Sequence, residues 1–262
     1  MNKSLGLKLL DLTGRVAVVL GGNSGLGRAI AIGLAEAGAD VAPTGRRAEL
    51  VETAAAEIEA LGRRTFRGTV DVTDRTTVDV YRDAVLAQFG RIDILVNAPG
   101  RTGRRNTETL SETEWLDVMN INLNGIFYAC QSFHDALAAT GHGRIINITS
   151  LGAYVALKEV VAYTASKSAL MGVTRNLAVD WADHGINVNA IAPGVFRTDL
   201  NKEMLDGTER GREYLMRTPM KRFGDPRELV GAAVLLASDA ASYITGQTII
   251  VDGGFLASGV NS

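Results

Sequence analysis

Tyr163 and Lys167 stand four residues apart in the run VVAYTASKSALMGVTRNLAV, with Ser150 thirteen positions upstream of the tyrosine. On a helix, a four-residue step puts two side chains on one face, about 5–6 Å apart at Cβ. A phenol beside an ammonium is a proton donor whose ionised form is stabilised by the neighbouring charge. Far upstream, the apolar run RVAVVL leads straight into the turn GGNSGLG. A glycine turn at a helix start is a seat for a dinucleotide's phosphates. Together these residues imply hydride transfer to or from a carbonyl, with tyrosine handling the proton.

Strand-like runs rich in Val and Ile alternate with helical patterns and must position these groups. Seven strand candidates follow from the pattern: 15–20, 40–44, 65–70, 92–97, 144–150, 186–192 and 248–253. Helices are expected over 24–38, 46–61, 74–89, 111–139, 161–184 and 225–238. Continuous apolar strands separated by helix-length segments imply a parallel sheet covered on both faces. With right-handed crossovers this is an α/β, doubly wound, Rossmann-like sheet of about seven strands. No linker or repeat interrupts it, so residues 1–262 read as one domain. The charged, weakly periodic segment 195–224 follows a strand's carboxyl end, where ligands bind in open sheets. It is expected to be a substrate lid, the alternative being a surface insertion of short helices.

Composition narrows the partners. With 46% hydrophobic residues, the 262-residue chain can bury a sizeable core. Lys and Arg number 27 against 29 Asp and Glu, a net charge of −2 that does not suggest a nucleic-acid or anionic-membrane partner. The single cysteine, Cys130, excludes an internal disulfide framework and fits a reducing compartment. The start MNKSLGLKLLDLTGR lacks a signal-peptide pattern, and no apolar run approaches a membrane span. A cytoplasmic protein is expected. No metal site is expected.

Gly21, Gly25 and Gly27, with Asn23, Ser24 and Leu26 between them, form the candidate phosphate turn. Glycine permits a positive φ, and its missing Cβ lets a pyrophosphate approach the backbone. An NAD site would place a carboxylate about 20 residues past the glycines, at the end of the second strand. That strand ends instead in Pro43-Thr44-Gly45-Arg46-Arg47. A guanidinium can clamp a 2′-phosphate, so NADP(H) is expected, with Arg46 as first contact and Arg47 second. The alternative is that both arginines simply begin a solvated helix. Asp71, followed by Val72, could accept from the adenine amino group or cap a helix, a role that suits Asp74 better. Asn97, in VNAPG with Gly100, either touches the cofactor or ties neighbouring strand ends together.

In order along the chain, GGNSGLG, NAPG, Asn122 in NINLNG, Ser150 in NITS, Tyr163-Thr-Ala-Ser-Lys167 and AIAPG resemble the short-chain dehydrogenase/reductase family, from about residue 10 to 255. The resemblance implies a nicotinamide cofactor and a Ser–Tyr–Lys–Asn active site. Tyr163 would then be the acid/base, made more acidic by Lys167⁺, which would also bond the nicotinamide ribose. Ser150 would donate to the substrate oxygen, and Asn122 would fix a water linking Lys167 to solvent. The AIAPG end, with Pro193, Gly194, Val195 and Thr198, would join the cofactor site. Two departures stand out: Leu20 where the family usually has threonine, and Pro99, which brings no N–H to its loop.

Tyr154 and Lys158 share the Y-x-x-x-K spacing but follow the fifth strand too closely for a sustained helix. Tyr154 is expected to be a packing or substrate-wall aromatic. Arg101, Arg104 and Arg105 after NAPG either meet an anionic or polyhydroxylated substrate or form a solvated loop; His142 and Lys158 are less well placed. The phrasing, including VFRTDL and VDGGFLASG, is similar to family members acting on gluconate-like sugar acids and sugars. A 3-oxoacyl thioester reductase is the alternative within the family, and a nucleotide-sensing protein without activity is the alternative outside enzymes. Surplus apolar residues in the long helices, Ile126, Phe127, Leu170, Met171, Val173, Leu177 and Trp181, together with the resemblance, point to a homotetramer.

Overall fold

Six strands pair in parallel: β1 (Val16–Leu20), β2 (Asp40–Thr44), β3 (Ile94–Asn97), β4 (Gly143–Ile148), β5 (Ile186–Pro193) and β6 (Thr248–Val251). Their spatial order in the computed structural model, which describes residues 6–198 and 201–260, is β2-β1-β3-β4-β5-β6. The first four are buried along their whole length, as continuous Val/Ile runs require when helices cover both faces. One face packs on α3 (Arg75–Phe89), α5 (Gly125–Ala138) and α6 (Val161–Asp180), through Tyr81, Phe133, Leu170 and Leu177. The other packs on α1 (Gly25–Glu36), α2 (Ala48–Ala60) and α9 (Val230–Ala237), through Ile30, Leu34, Ile58 and Leu236. The chain steps from β1 outward to β2, then returns to place β3 on the other flank of β1. That reversal opens a crevice at the carboxyl ends of β1 and β3, where ligands of doubly wound sheets bind.

The seventh strand, expected over 65–70, is absent. Thr65 makes only an isolated bridge to Val41, and Val41 N–H donates to Arg64 O at 3.1 Å. Two residues on, the next outward donor of β2 would be Pro43, which has no N–H to continue the ladder. Gly68 and Val70 instead return to the end of β2 through Thr44 Oγ1 and Gly45 O.

The long helix expected over 111–139 is broken. The helix α4 (Glu112–Met119) runs into a π-helical turn at Asn120–Asn124 before α5 begins. A capping box formed by Ser111 and Glu114 starts α4. The helix expected over 225–238 starts as a 3-10 turn, Pro226–Leu229, and that over 161–184 ends in another, Ala182–His184. Among its described residues, segment 195–224 holds two short helices, α7 (Lys202–Leu205) and α8 (Glu209–Arg217), and a bridge between Phe196 and Gly224 closes its base.

Of the surplus apolar residues, Ile126, Leu170 and Leu177 are core, and Phe127, Val173 and Trp181 pack against it. The exposed large apolar groups on these helices, among the described residues, are Leu116, Tyr128, Val161 and Val179. Among the described residues, no helix is long and apolar enough to cross a membrane.

Candidate active site

Ser150 follows β4 by two residues and caps the 3-10 turn Leu151–Ala153, its Oγ accepting from Gly152 N–H at 3.0 Å. Tyr163 and Lys167 lie one turn apart at the start of α6. A Cβ added to Gly152 would meet both Ser150 Oγ, at 3.4 Å, and Tyr163 Cε1, at 3.6 Å, so serine and tyrosine flank this glycine. Burial pushes the Tyr163 phenol above its ordinary value, a hydrogen bond with Ser150 opposes this, and Tyr214 on α8 adds to the rise. The expected acidifying pull is that of Lys167⁺ together with a bound oxidised nicotinamide; in the protein alone the group that opposes the rise is Ser150. Lys167 is 3% exposed and donates to Ile148 O at 2.8 Å. Burial lowers its ammonium to about 8.

Asn122 sits inside the π turn, fully buried. Its Nδ2 donates to Arg101 O at 2.9 Å and to Ser166 Oγ at 3.1 Å, while Oδ1 accepts from Arg101 N–H at 2.8 Å. Ser166 Oγ in turn donates to Tyr163 O at 2.7 Å. The π turn therefore clamps the loop after β3 onto the first turn of α6. The side chain of Asn122 is committed to that clamp rather than aimed at Lys167. π turns inside α-helices are frequent at functional sites because they re-aim groups the regular ladder would fix.

The glycine turn opens at the crevice. Gly21 has φ +73°, and a Cβ there would stand 2.9 Å from Ala98 C and Pro99 N. A Cβ on Gly27 would stand 2.2 Å from Gly21 O, so only glycine closes α1 onto the turn. Asn23 is buried and donates to Arg47 O at 3.3 Å, Ser24 stands at the N-cap position of α1 without a side-chain capping bond, and Leu26 packs against the core. Arg47 Nη2 donates to Ser24 Oγ at 3.1 Å, which brings a guanidinium to the edge of the turn. Asp71 accepts from Thr73 N–H and Oγ1 at 3.0 and 2.7 Å. Burial opposes its ionisation, but these bonds and the charge of Arg46 hold its carboxyl below the ordinary value. Arg46 and Arg47 thus bracket the end of β2. Asp74 caps α3, as its position suggested.

Asn97 is fully buried, and its Nδ2 donates to Asn147 Oδ1 at 2.8 Å; Asn147 Nδ2 donates to Thr174 Oγ1 at 3.0 Å. Its amide ties β3 to β4 and α6, the strand-linking alternative. Val72 is buried with its carbonyl 2.5 Å from a Cβ built on Gly125, and Gly100 lies next to Lys167 Nζ. Pro193 ends β5, Gly194 packs on Asp252, Val195 O accepts from Gly224 N–H, and Thr198 Cγ2 approaches Gly25. The turn, the loop after β3, the β5 end and the Tyr–Lys pair therefore line one crevice, with glycine backbone and two arginines where a dinucleotide's phosphates would lie. These features fit a nicotinamide dinucleotide. Leu20, the departure from threonine, is fully buried in the core below it.

A family model described as enoyl-(acyl carrier protein) reductase matches residues 21–256. A 2-dehydro-3-deoxy-D-gluconate 5-dehydrogenase of Dickeya dadantii is 42% identical over 254 residues, covering 96% of this chain and 99% of the relative. A short-chain type dehydrogenase/reductase from Mycobacterium marinum superposes with a TM-score of 0.92 at 32% identity, covering 96% of this chain and 99% of that one. The chain belongs to the short-chain dehydrogenase/reductase family. Within it, a gluconate 5-dehydrogenase from Burkholderia cenocepacia, solved with NADP and tartrate, superposes with a TM-score of 0.92 at 36% identity, over 96% of this chain and 98% of that one.

Among dehydrogenase/reductase chains of this kind, several groups needed the structure to be placed. Tyr154 ends a 3-10 turn and is 42% exposed, so the decoy pair shares no helix. Arg104 pairs with Glu159, Arg105 with Glu114 at 2.6 Å, and Arg101 with Asp117 at 3.5 Å. His142 pairs with Asp93, beside the amino end of β4, away from the site. The sequence reading missed Ser166, Asn147, Thr174, Glu159, Arg210 and Tyr214. Ser166 was detectable, lying one helical turn after Tyr163. A cleft of about 380 Å³ between Thr218, Met220 and β6 contains none of the Ser–Tyr–Lys–Asn residues.

Proposed function

We propose that this chain is an NADP(H)-dependent oxidoreductase interconverting a secondary alcohol and a ketone on a sugar acid, in the manner of a gluconate 5-dehydrogenase. The observation that carries the reading is the meeting of Ser150 and Tyr163 around Gly152, with Lys167 one turn below, beside the glycine turn. The sugar-acid class is supported by the names of the Dickeya and Burkholderia relatives.

Gly21, Asn23, Ser24, Gly25, Leu26 and Gly27 would hold the cofactor's phosphates, and Arg46 and Arg47 a 2′-phosphate. Asp71, Val72, Asn97 and Gly100 would border the adenosine half and the ring side, and Pro193, Gly194, Val195 and Thr198 would close the nicotinamide end. When bound, the nicotinamide supplies or accepts the hydride. Tyr163 gives its proton to the substrate oxygen in reduction and removes it in oxidation. Ser150 donates to the same oxygen and stabilises charge as it develops. Lys167 favours phenolate once charged and fixes the ribose. Asn122 clamps the loop after β3 to the helix that carries Tyr163 and Lys167, where a water would link Lys167 to solvent. Segment 195–224 is read as the lid over this site, because it follows the carboxyl end of β5 and Arg210 on α8 bonds Lys158 O in the loop between Ser150 and Tyr163. The assembly is read as a homotetramer in the cytoplasm, with Leu116, Tyr128 and Val179 as interface candidates.

The test is oxidation of NADPH against keto-sugar acids, neutral ketoses and 3-oxoacyl thioesters. Turnover confined to the thioesters would favour the other branch of the family. Tight NADPH binding with silence across the panel would favour a sensor.

A further inference from the structure

Three arginines after β3 were the sequence candidates for an anionic substrate, and each already faces an acid. Arg104 Nε and Nη2 both go to Glu159 Oε2, Arg105 Nε bonds Glu114, and Arg101 faces Asp117. All three side chains are about half exposed. A paired, solvated guanidinium offers a substrate carboxylate little that water does not.

Arg210 on α8 is different. Its side chain is 17% exposed, and its approach to Glu159 is loose, at 4.0 Å, because Arg104 already takes that carboxylate. Its hydrogen bonds are to neutral oxygens: Nη2 to Lys158 O at 3.2 Å and Nε to Tyr214 Oη at 3.4 Å. The guanidinium carbon lies 5.7 Å from the Tyr214 ring centre. Two observations aim this group at the chemistry. Lys158 and Glu159 belong to the loop that runs from Ser150 to Tyr163, and Leu157 in that loop packs at Gly152 between them. Arg210 Nη2 meets that same loop at Lys158 O, which docks α8 on it. Glu159 itself holds φ +68°, a conformation non-glycine residues adopt at a cost, so the loop is shaped to this junction. The charges of Arg104, Lys158 and Arg210 all act on the Glu159 carboxylate.

We propose that Arg210 is the specificity-determining residue for the acid end of the substrate: it binds the carboxylate of a sugar acid while the reacting carbon lies at Tyr163. The inference rests on the sugar-acid reading above and adds the residue that selects an acid over a neutral sugar. Arginine suits the task because its planar fork meets both carboxylate oxygens. Glu159 and Lys158 O hold the fork in place before substrate arrives, which lowers the ordering cost of binding.

The experiment separates this from the function itself. Gluconate and NADPH cannot react, both being reduced, so calorimetric titration of gluconate into the NADPH complex reads binding alone. Sorbitol, with CH2OH in place of the carboxylate, is the neutral control. We expect Arg210→Met to weaken gluconate binding by at least about tenfold, the scale of a charge-assisted hydrogen bond, with sorbitol and NADPH unchanged. Arg210→Lys, which keeps the charge without the fork, should fall between. Equal loss for gluconate and sorbitol, unaltered gluconate binding in Arg210→Met, or no gluconate binding to the wild type would overturn the inference. Wild-type binding through Arg210 without turnover of any sugar acid would instead refute the proposed reaction and leave the anion site standing.

Discussion

The ammonium of Lys167 donates to the main-chain carbonyl of Ile148 at 2.8 Å, tying the helix that carries Tyr163 to the strand that delivers Ser150. A buried cation on one neutral acceptor is costly to fold around. It is retained where its charge does work.

That cost has a sign. Burial lowers Lys167 from 10.5 to about 8, so between those pH values the unfolded chain binds more protons than the folded one. Stability from this group therefore rises with pH across the window, and below about 8 the charge is a standing penalty. We expect Lys167→Met to be more stable than wild type at pH 7, by a few kcal/mol at most on the scale of such shifts. The advantage should shrink towards pH 10. Urea unfolding of the cofactor-free proteins at the two pH values checks this, and the same variant should lose at least about a hundredfold in kcat.

Arg47 reaches the cap of α1 while Arg46 acts on Asp71, so the two should share a 2′-phosphate. Replacing both by alanine should lower kcat/KM for NADPH by about 10–100-fold and for NADH by less than about threefold, as loss of charge-assisted bonds implies. Steady-state kinetics with the two cofactors decides it; equal losses would assign the arginines to packing.

Gly27 has no room for a methyl group, its Cβ falling 2.2 Å from Gly21 O. In Gly27→Ala the turn must open, and we expect NADPH affinity to drop by at least about a hundredfold, since the backbone donors no longer converge. Fluorescence titration measures this. A folded variant with unchanged affinity would remove the turn from the cofactor site.

Thr174 accepts from Asn147, which accepts from Asn97, a buried relay that ties β3 and β4 to α6 without touching the reacting groups. Thr174→Val strands the Asn147 amide and should cost about 1–3 kcal/mol, with KM for both substrates little changed. Thermal unfolding and kinetics together test the division between scaffold and chemistry.

The site was legible where its geometry is local. Tyr163 and Lys167 are adjacent because a helix makes them so, and the strand-turn-helix order put Gly21 at a crevice. Pro43 was also legible in principle: its missing N–H ends the outer ladder of β2 and removes the expected seventh strand. The break in the helix at Asn120–Asn124 was not, because NINLNG keeps a helical rhythm and the π turn arises from Asn122 reaching Arg101 and Ser166, distant in sequence. Arg210 was hidden for the same reason. Its meaning depends on which acids the other arginines had already taken.

The central claim is that Tyr163, not Tyr154, moves the proton. It is tested by measuring kcat for NADPH-linked ketone reduction in Tyr163→Phe and Tyr154→Phe, with NADPH affinity as the folding control. We expect Tyr163→Phe to lose at least about a thousandfold, within the range for removing a general acid, and Tyr154→Phe to keep most activity. Full activity in Tyr163→Phe, with loss in Tyr154→Phe, would contradict it.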